Sequence, residues 1–72
     1  MTITLQRLAA GRYVYNDWRT TVALEMIETK YYVEKFASGW RWSSSRDASV
    51  GGEWRATKAE ATLDLIAFLE AK

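Results

Sequence analysis

His and Cys carry much of hydrolytic and group-transfer chemistry near neutral pH, and neither occurs in these 72 residues. Without an imidazole the chain lacks the side chain whose ordinary pKa lies closest to seven, and without a thiol it lacks the most ready nucleophile. The same absence removes disulfides and the common zinc ligand sets. Carboxylates remain, and two pairs lie close in sequence: Glu25 with Glu28, and Glu60 with Asp64. On a strand the first pair points to opposite faces; on a helix the second pair sits at i, i+4 on the solvated side and repels weakly. No Asp-x-Asp-x-Asp-Gly loop gathers acids for a divalent cation, and Gly51-Gly52 lacks the spacing and the Lys-Ser or Lys-Thr of a phosphate-cradling loop. These residues predict no enzyme, no metal and no cofactor.

The chemistry left is contact. Four Trp, four Tyr and two Phe are a heavy aromatic load for this length, and Arg12, Arg19, Arg41, Arg46 and Arg55 are interleaved with them. Trp, Tyr and Arg are the residues enriched in the anchors of protein interfaces. The same set can also stack on bases and meet phosphates. A formal charge of +1 weighs against nucleic acid, because that affinity leans on net neutralisation of phosphates. A third use for an aromatic face or a sheet edge is homodimerisation.

A chain of this size is a single domain, 1–72, and buries only about 60% of the surface its unfolded form exposes. Disulfides and zinc being excluded, the large rings must fill the core. No apolar run suits a secretion signal or a membrane span, so the expectation is a soluble, cytoplasmic protein without membrane contact.

Hydrophobic alternation sets the elements. Thr2 to Leu8 suits a short strand, although Leu5, Leu8 and Ala9 equally suit one helical turn, and Gly11 ends either. Arg12 to Asp17 reads as a strand through Tyr13-Val14-Tyr15, with Asn16-Asp17 as a turn and Trp18 at it. Thr20 to Thr29 alternates, with Val22, Leu24 and Met26 on one side, and reads as a further strand. Lys30 to Ser45 reads as a hairpin with a two-residue loop at Ser38-Gly39, which opposes Ala37 to Trp40, Lys35 to Trp42 and Val33 to Ser44. Tyr31, Val33, Ala37, Trp40 and Trp42 then line the core face. Tyr32, Glu34, Phe36, Arg41, Ser43 and Ser45 line the other, with Glu34 and Arg41 diagonal. Ser43 to Gly52 reads as a loop, and Glu53 to Ala56 as a short strand with Trp54 inward. Thr57 and Glu60 form a Ser/Thr-x-x-Glu capping box that opens a helix from Lys58 to about Ala71. Its predicted apolar arc holds Ala59, Thr62, Leu63, Leu65, Ile66 and Leu69, with Phe68 at the edge.

The predicted fold is α+β: an antiparallel sheet of four to five strands with one C-terminal amphipathic helix packed on one face. The leading functional expectation is a non-enzymatic protein-binding module. Tyr32 and Phe36 leave two aromatics on the solvent face, the usual mark of a contact surface. The candidate binding residues are Tyr32, Phe36, Arg41, Trp18 and Arg46.

Two likenesses to known families follow from these patterns. Gly39-Trp40-Arg41-Trp42, followed by Trp54-Arg55-Ala56-Thr57-Lys58-Ala59-Glu60-Ala61, resembles the three-stranded sheet plus helix of AP2-type and integrase arm-type DNA-binding domains, which implies a sheet that enters a DNA groove. Taken whole, with Leu8-Ala9-Ala10-Gly11-Arg12-Tyr13, the strands and the capped helix, the chain resembles small accessory proteins of phages and mobile elements. Some of these are anti-CRISPR or other anti-defence inhibitors, which implies a host protein complex as partner and inhibition by covering its surface.

Overall fold

In the computed structural model, which describes residues 1–20, 23–47 and 49–71 and all their side chains except those of 19 and 20, four strands precede one helix. They are β1 (Gln6–Ala9), β2 (Arg12–Thr20), β3 (Met26–Phe36), β4 (Gly39–Ser44) and α1 (Lys58–Glu70). The sheet is antiparallel throughout, in the order β1-β2-β3-β4. The α+β architecture is as the sequence implies, at the four-strand end of the expected range.

Strand boundaries differ from the expectation where cross-strand pairing overrides local turn preference. Asn16 and Asp17 do not turn: they pair with Lys30 and Thr29, and β2 continues to Thr20 opposite Met26. The expected strand over 20–29 is therefore divided between β2 and β3. Ala23 and Leu24 lie in the connection, with Leu24 at a φ of 63°; Val22, which the alternation places on one side with Leu24 and Met26, lies outside the described residues. The first strand begins only at Gln6, and the preceding Ile3 and Leu5 pack against the core instead of pairing.

The β3–β4 hairpin closes one step earlier than Ser38-Gly39. Phe36 pairs with Gly39, so Ala37-Ser38 is the two-residue connection, and Lys35 opposes Trp40, Val33 opposes Trp42 and Tyr31 opposes Ser44. Positive φ falls at Gly39, 127°, and at neither loop residue, so the glycine follows the turn instead of forming it. A methyl group at Gly39 would also collide with the Arg55 carbonyl. The opposed pairs slide by two residues relative to the expectation. Side-chain direction has period two, so the residues that remain in the ladder keep their predicted faces, whereas Ala37, expected on the core face, becomes a turn residue and is exposed.

The core lies between the sheet and α1, which packs on β3 and β4. It consists of Tyr31, Val33, Trp42, Ala61, Leu65 and Leu69. Each fully buried aliphatic side chain here stabilises the fold by roughly 1.5–3 kcal/mol. Phe68 joins them, its ring centroid 4.6 Å from Trp42 and 6.1 Å from Tyr31. The inward face of the helix is thus Ala61, Leu65, Phe68 and Leu69; the predicted arc overlaps it at Leu65 and Leu69 but is rotated towards Ala59 and Leu63 and misses Ala61. Leu63 is 65% exposed and Ala59 is exposed as well. Apolar residues occur around most of this helix, so periodicity alone does not choose a face; the aromatic contacts of Phe68 do. At the helix start Thr57 is the N-cap, accepting from the Glu60 amide at 3.2 Å. Glu60 closes the box by accepting the Thr57 hydroxyl at 3.0 Å in place of its backbone N–H.

Candidate functional site

The face of the sheet turned away from α1 follows from the register. Across its middle runs a row of Arg12 on β2, Glu34 on β3 and Arg41 on β4. The row beside it holds Gln6, Val14, Tyr32 and Ser43. Phe36 pairs with Gly39 at one end, and Trp18 pairs with Glu28 towards the other. Glu34 and Arg41 are therefore directly opposed, not diagonal.

The segment after the polar loop decides what this face finally presents. Its chain runs along the free edge of β4: Gly52 N–H donates to Trp42 O at 2.9 Å, Trp40 N–H to Arg55 O at 2.8 Å, and Arg55 N–H to Trp40 O at 2.7 Å. Two isolated bridges, Ser43 with Gly51 and Trp40 with Arg55, replace the expected strand over 53–56. Between them the edge segment carries one residue more than β4, since four steps from Gly51 to Arg55 meet three from Ser43 to Trp40. An extra residue of this kind exchanges the faces beyond it. Arg55 is carried to the helix side, where its Nε lies 2.6 Å from Asp64 Oδ2. The Asp64 carboxylate raises the Arg55 pKa further above its ordinary value, first through this hydrogen bond and then through its charge. Trp54, expected inward, is carried to the open face and is 48% exposed.

There Trp54 meets two of the predicted site residues. Its ring stands edge-on to Phe36, with centroids 5.5 Å apart and planes at 81°, a favoured aromatic geometry. The Arg41 guanidinium lies over the same tryptophan, its Cζ 5.4 Å from the ring centroid, within cation–π range. Phe36, Arg41, Ser43, Ser44 and Trp54 line a cleft of about 320 Å³. Two other clefts, of about 440 and 460 Å³, lie along the N-terminal segment, and neither brings an aromatic pair and a guanidinium together.

Arg41 is held tightly from behind. A Cβ at Gly51 would strike its Nη2 and come within 2.9 Å of the Trp42 carbonyl oxygen, so only glycine lets the edge segment close over this arginine. Its Nε is buried and has no hydrogen-bond partner, an arrangement that costs on the order of 1–3 kcal/mol. The opposing Glu34 is engaged elsewhere: Arg12 Nε approaches Glu34 Oε2 to 3.0 Å, and the same guanidinium lies 5.2 Å from the Tyr32 ring. The row thus holds two cations and one carboxylate, and Arg41 is the cation without an ion pair among the described residues.

Of the five residues predicted as a site, Tyr32, Phe36 and Arg41 share the open face within a few residues of Glu34. Trp18 is on that face and 56% exposed, but its partner Glu28 is four residues from Tyr32 along β3, roughly 13 Å. Arg46 is elsewhere. Its Nε donates to Thr29 Oγ1 at 2.9 Å and its Nη2 to Glu28 O at 3.4 Å, and Thr29 alternates to the helix side. This arginine ties the polar loop to β3. Sequence reasoning missed Trp54 and Arg12. An odd step of register had hidden Trp54, and Arg12 gains its place only once Glu34 is known as its partner.

Among the described residues no three His, Cys, Asp or Glu side chains gather as a metal-binding group, and no helix is long and apolar enough to cross a membrane. Comparison with known proteins finds no matching family model, no matching curated protein and no matching solved structure.

Proposed function

We propose that the chain is a non-enzymatic protein-binding module whose partner docks on the open face of the sheet, centred on Phe36, Trp54, Arg41 and Tyr32. The observation that carries this reading is the cleft in which a tryptophan and a phenylalanine, both half exposed, flank an arginine with no carboxylate partner. Trp, Tyr and Arg supply most of the energy of protein interfaces when they reach a pocket centre. Trp18 extends the surface along β2, opposite Glu28 of β3. A partner contacting it as well would span both ends of the sheet.

Nucleic acid is the reading the face supports less. Glu28 and Glu34 lie on it beside Lys30, Arg12 and Arg41, so a polyphosphate track meets carboxylates as well as cations. Inhibition of a host defence complex in the cytoplasm, which the phage-type resemblance implies, is the form such binding would take if the module works by covering a surface.

The test is a triple substitution, Tyr32→Ser, Phe36→Ser and Arg41→Gln, in a pull-down from host lysate beside the unaltered chain, with circular dichroism to check the fold. The expected result is a folded variant that loses the captured partner. A variant that stays folded and captures the same partner equally well removes this face from consideration.

A further inference from the structure

We infer that the cleft between Phe36 and Trp54 takes an acidic peptide segment of the partner, one carboxylate side chain meeting the Arg41 guanidinium and a neighbouring apolar side chain lying against the two rings. This rests on the protein-binding reading above and names the chemistry of what is bound.

Charge is the first argument. Arg12 has Glu34 at 3.0 Å, and Arg55 has Asp64 at 2.6 Å and Glu53 at 3.9 Å. Arg46 donates to Thr29 and to a backbone carbonyl. Arg41 has a ring beneath it and no acceptor on Nε. The opposing carboxylate, Glu34, is already paired with Arg12, so the cleft carries one uncompensated positive charge. A single side-chain carboxylate matches that count, and the Ser43 hydroxyl that lines the same cleft can donate to it. A nucleic acid would instead lay successive phosphates across a face that also carries Glu28 and Glu34.

Preorganisation is the second argument. The guanidinium is fixed between Gly51 and the Trp54 ring, so little side-chain freedom remains to be lost when a carboxylate arrives. Charge-assisted hydrogen bonds from arginine to carboxylate are stronger and more directional than neutral ones. The edge-on arrangement of Phe36 and Trp54 at 5.5 Å leaves the rings as an apolar rim beside that charge.

The test is selection of a displayed random dodecapeptide library on the whole chain, followed by fluorescence anisotropy of the enriched peptides. Selected peptides are expected to carry Asp or Glu next to an aromatic or aliphatic residue. Replacing that acid by its amide should weaken binding about ten-fold or more. Arg41→Gln should weaken the parent peptide to the same extent and leave the amide peptide unchanged. Arg41→Lys, which keeps the charge, should fall between the two and guards against a mere packing defect. Peptides that bind through Phe36 and Trp54 but carry no acid, and bind Arg41→Gln equally well, would overturn the acidic-segment inference and leave the module reading standing. No enrichment of peptides at all would overturn both, whether or not a dT12 oligonucleotide binds in an Arg41-dependent way.

Discussion

Trp42 and Trp54 both lie beside the same edge of the sheet, yet one is 4% exposed in the core and the other 48% exposed on the opposite face. The difference is one of parity. Trp42 opposes Val33 in a regular ladder and turns towards Leu65 and Phe68. Trp54 follows a one-residue irregularity in the edge segment and turns towards Phe36 and Arg41. Each face therefore receives a tryptophan ring from this edge, and the helix side takes Trp40 as well as Trp42. On the helix side the Trp42 ring completes a closed core. On the open side the Trp54 ring forms one wall of a cleft shared with Phe36 and Arg41 that no helix covers.

The sharpest way to break this comparison is to delete both rings. Trp42→Ala should cost about 3–5 kcal/mol, the range for aromatic-to-alanine changes in cores. Total stability for 72 residues is about 4–11 kcal/mol at typical per-residue values, so this variant sits at the edge of unfolding. Trp54→Ala forfeits an edge-on ring pair, about 0.5–1.5 kcal/mol, and an exposed cation–π contact, about 0.5–1 kcal/mol. Denaturant titration of both variants decides the matter, and equal losses would show that Trp54 belongs to the core after all.

Gly51→Ala tests the hinge between the faces. An added methyl group would meet the Arg41 guanidinium on one side and the backbone of β4 on the other, and because the β4 carbonyl cannot move aside the expected cost is about 1–3 kcal/mol. The substitution should also displace Arg41 from the Trp54 ring, seen as a shift of the Trp54 indole N–H signal while the Trp42 signal holds. A neutral Gly51→Ala with an unmoved Trp54 signal would mean that Arg41 does not depend on this close approach.

These effects also show why some of the molecule can be read from its sequence and some cannot. Thr57 and Glu60 mark the helix start because a capping box is local chemistry three residues long. The division of Tyr31, Val33 and Trp42 from Tyr32, Glu34 and Phe36 survives a misplaced turn, since a slide of two in the opposed pairs restores the period. An odd step does not: the extra residue between Gly51 and Arg55 reverses Trp54, and nothing in Gly51-Gly52-Glu53-Trp54 announces it. The inward face of α1 is hidden for a different reason. With Ala59, Leu63, Ile66 and Ala67 on one side and Ala61, Leu65, Phe68 and Leu69 on the other, the helix has two plausible apolar stripes, and the choice belongs to Tyr31 and Trp42 on the sheet. Arg46 illustrates the limit for charges. Its type fits an interface anchor, but Thr29 reaches it first.

The smallest expected effect separates both faces from the loop that joins them. Asp47 Oδ1 accepts from the Ser49 amide at 2.9 Å and from the Ser49 hydroxyl at 2.6 Å, and these hydrogen bonds hold its carboxyl below the ordinary value of 3.8. A carboxyl whose native pKa is depressed favours the native loop at any pH above the ordinary value, and that contribution is lost as pH falls through the lower native one. Acidification should therefore move the Ser49 amide signal at a midpoint below 3.8, read from a ¹⁵N–¹H titration. The backbone bonds that anchor the loop do not involve the carboxylate: Val50 N–H donates to Asp47 O at 3.0 Å, and Ser44 N–H to Val50 O at 3.1 Å. Neither the Trp42 nor the Trp54 indole should follow the Ser49 midpoint. If the Trp54 signal did follow it, the open cleft would depend on the loop's own hydrogen bonds, and the two faces would differ in what anchors them as well as in what covers them.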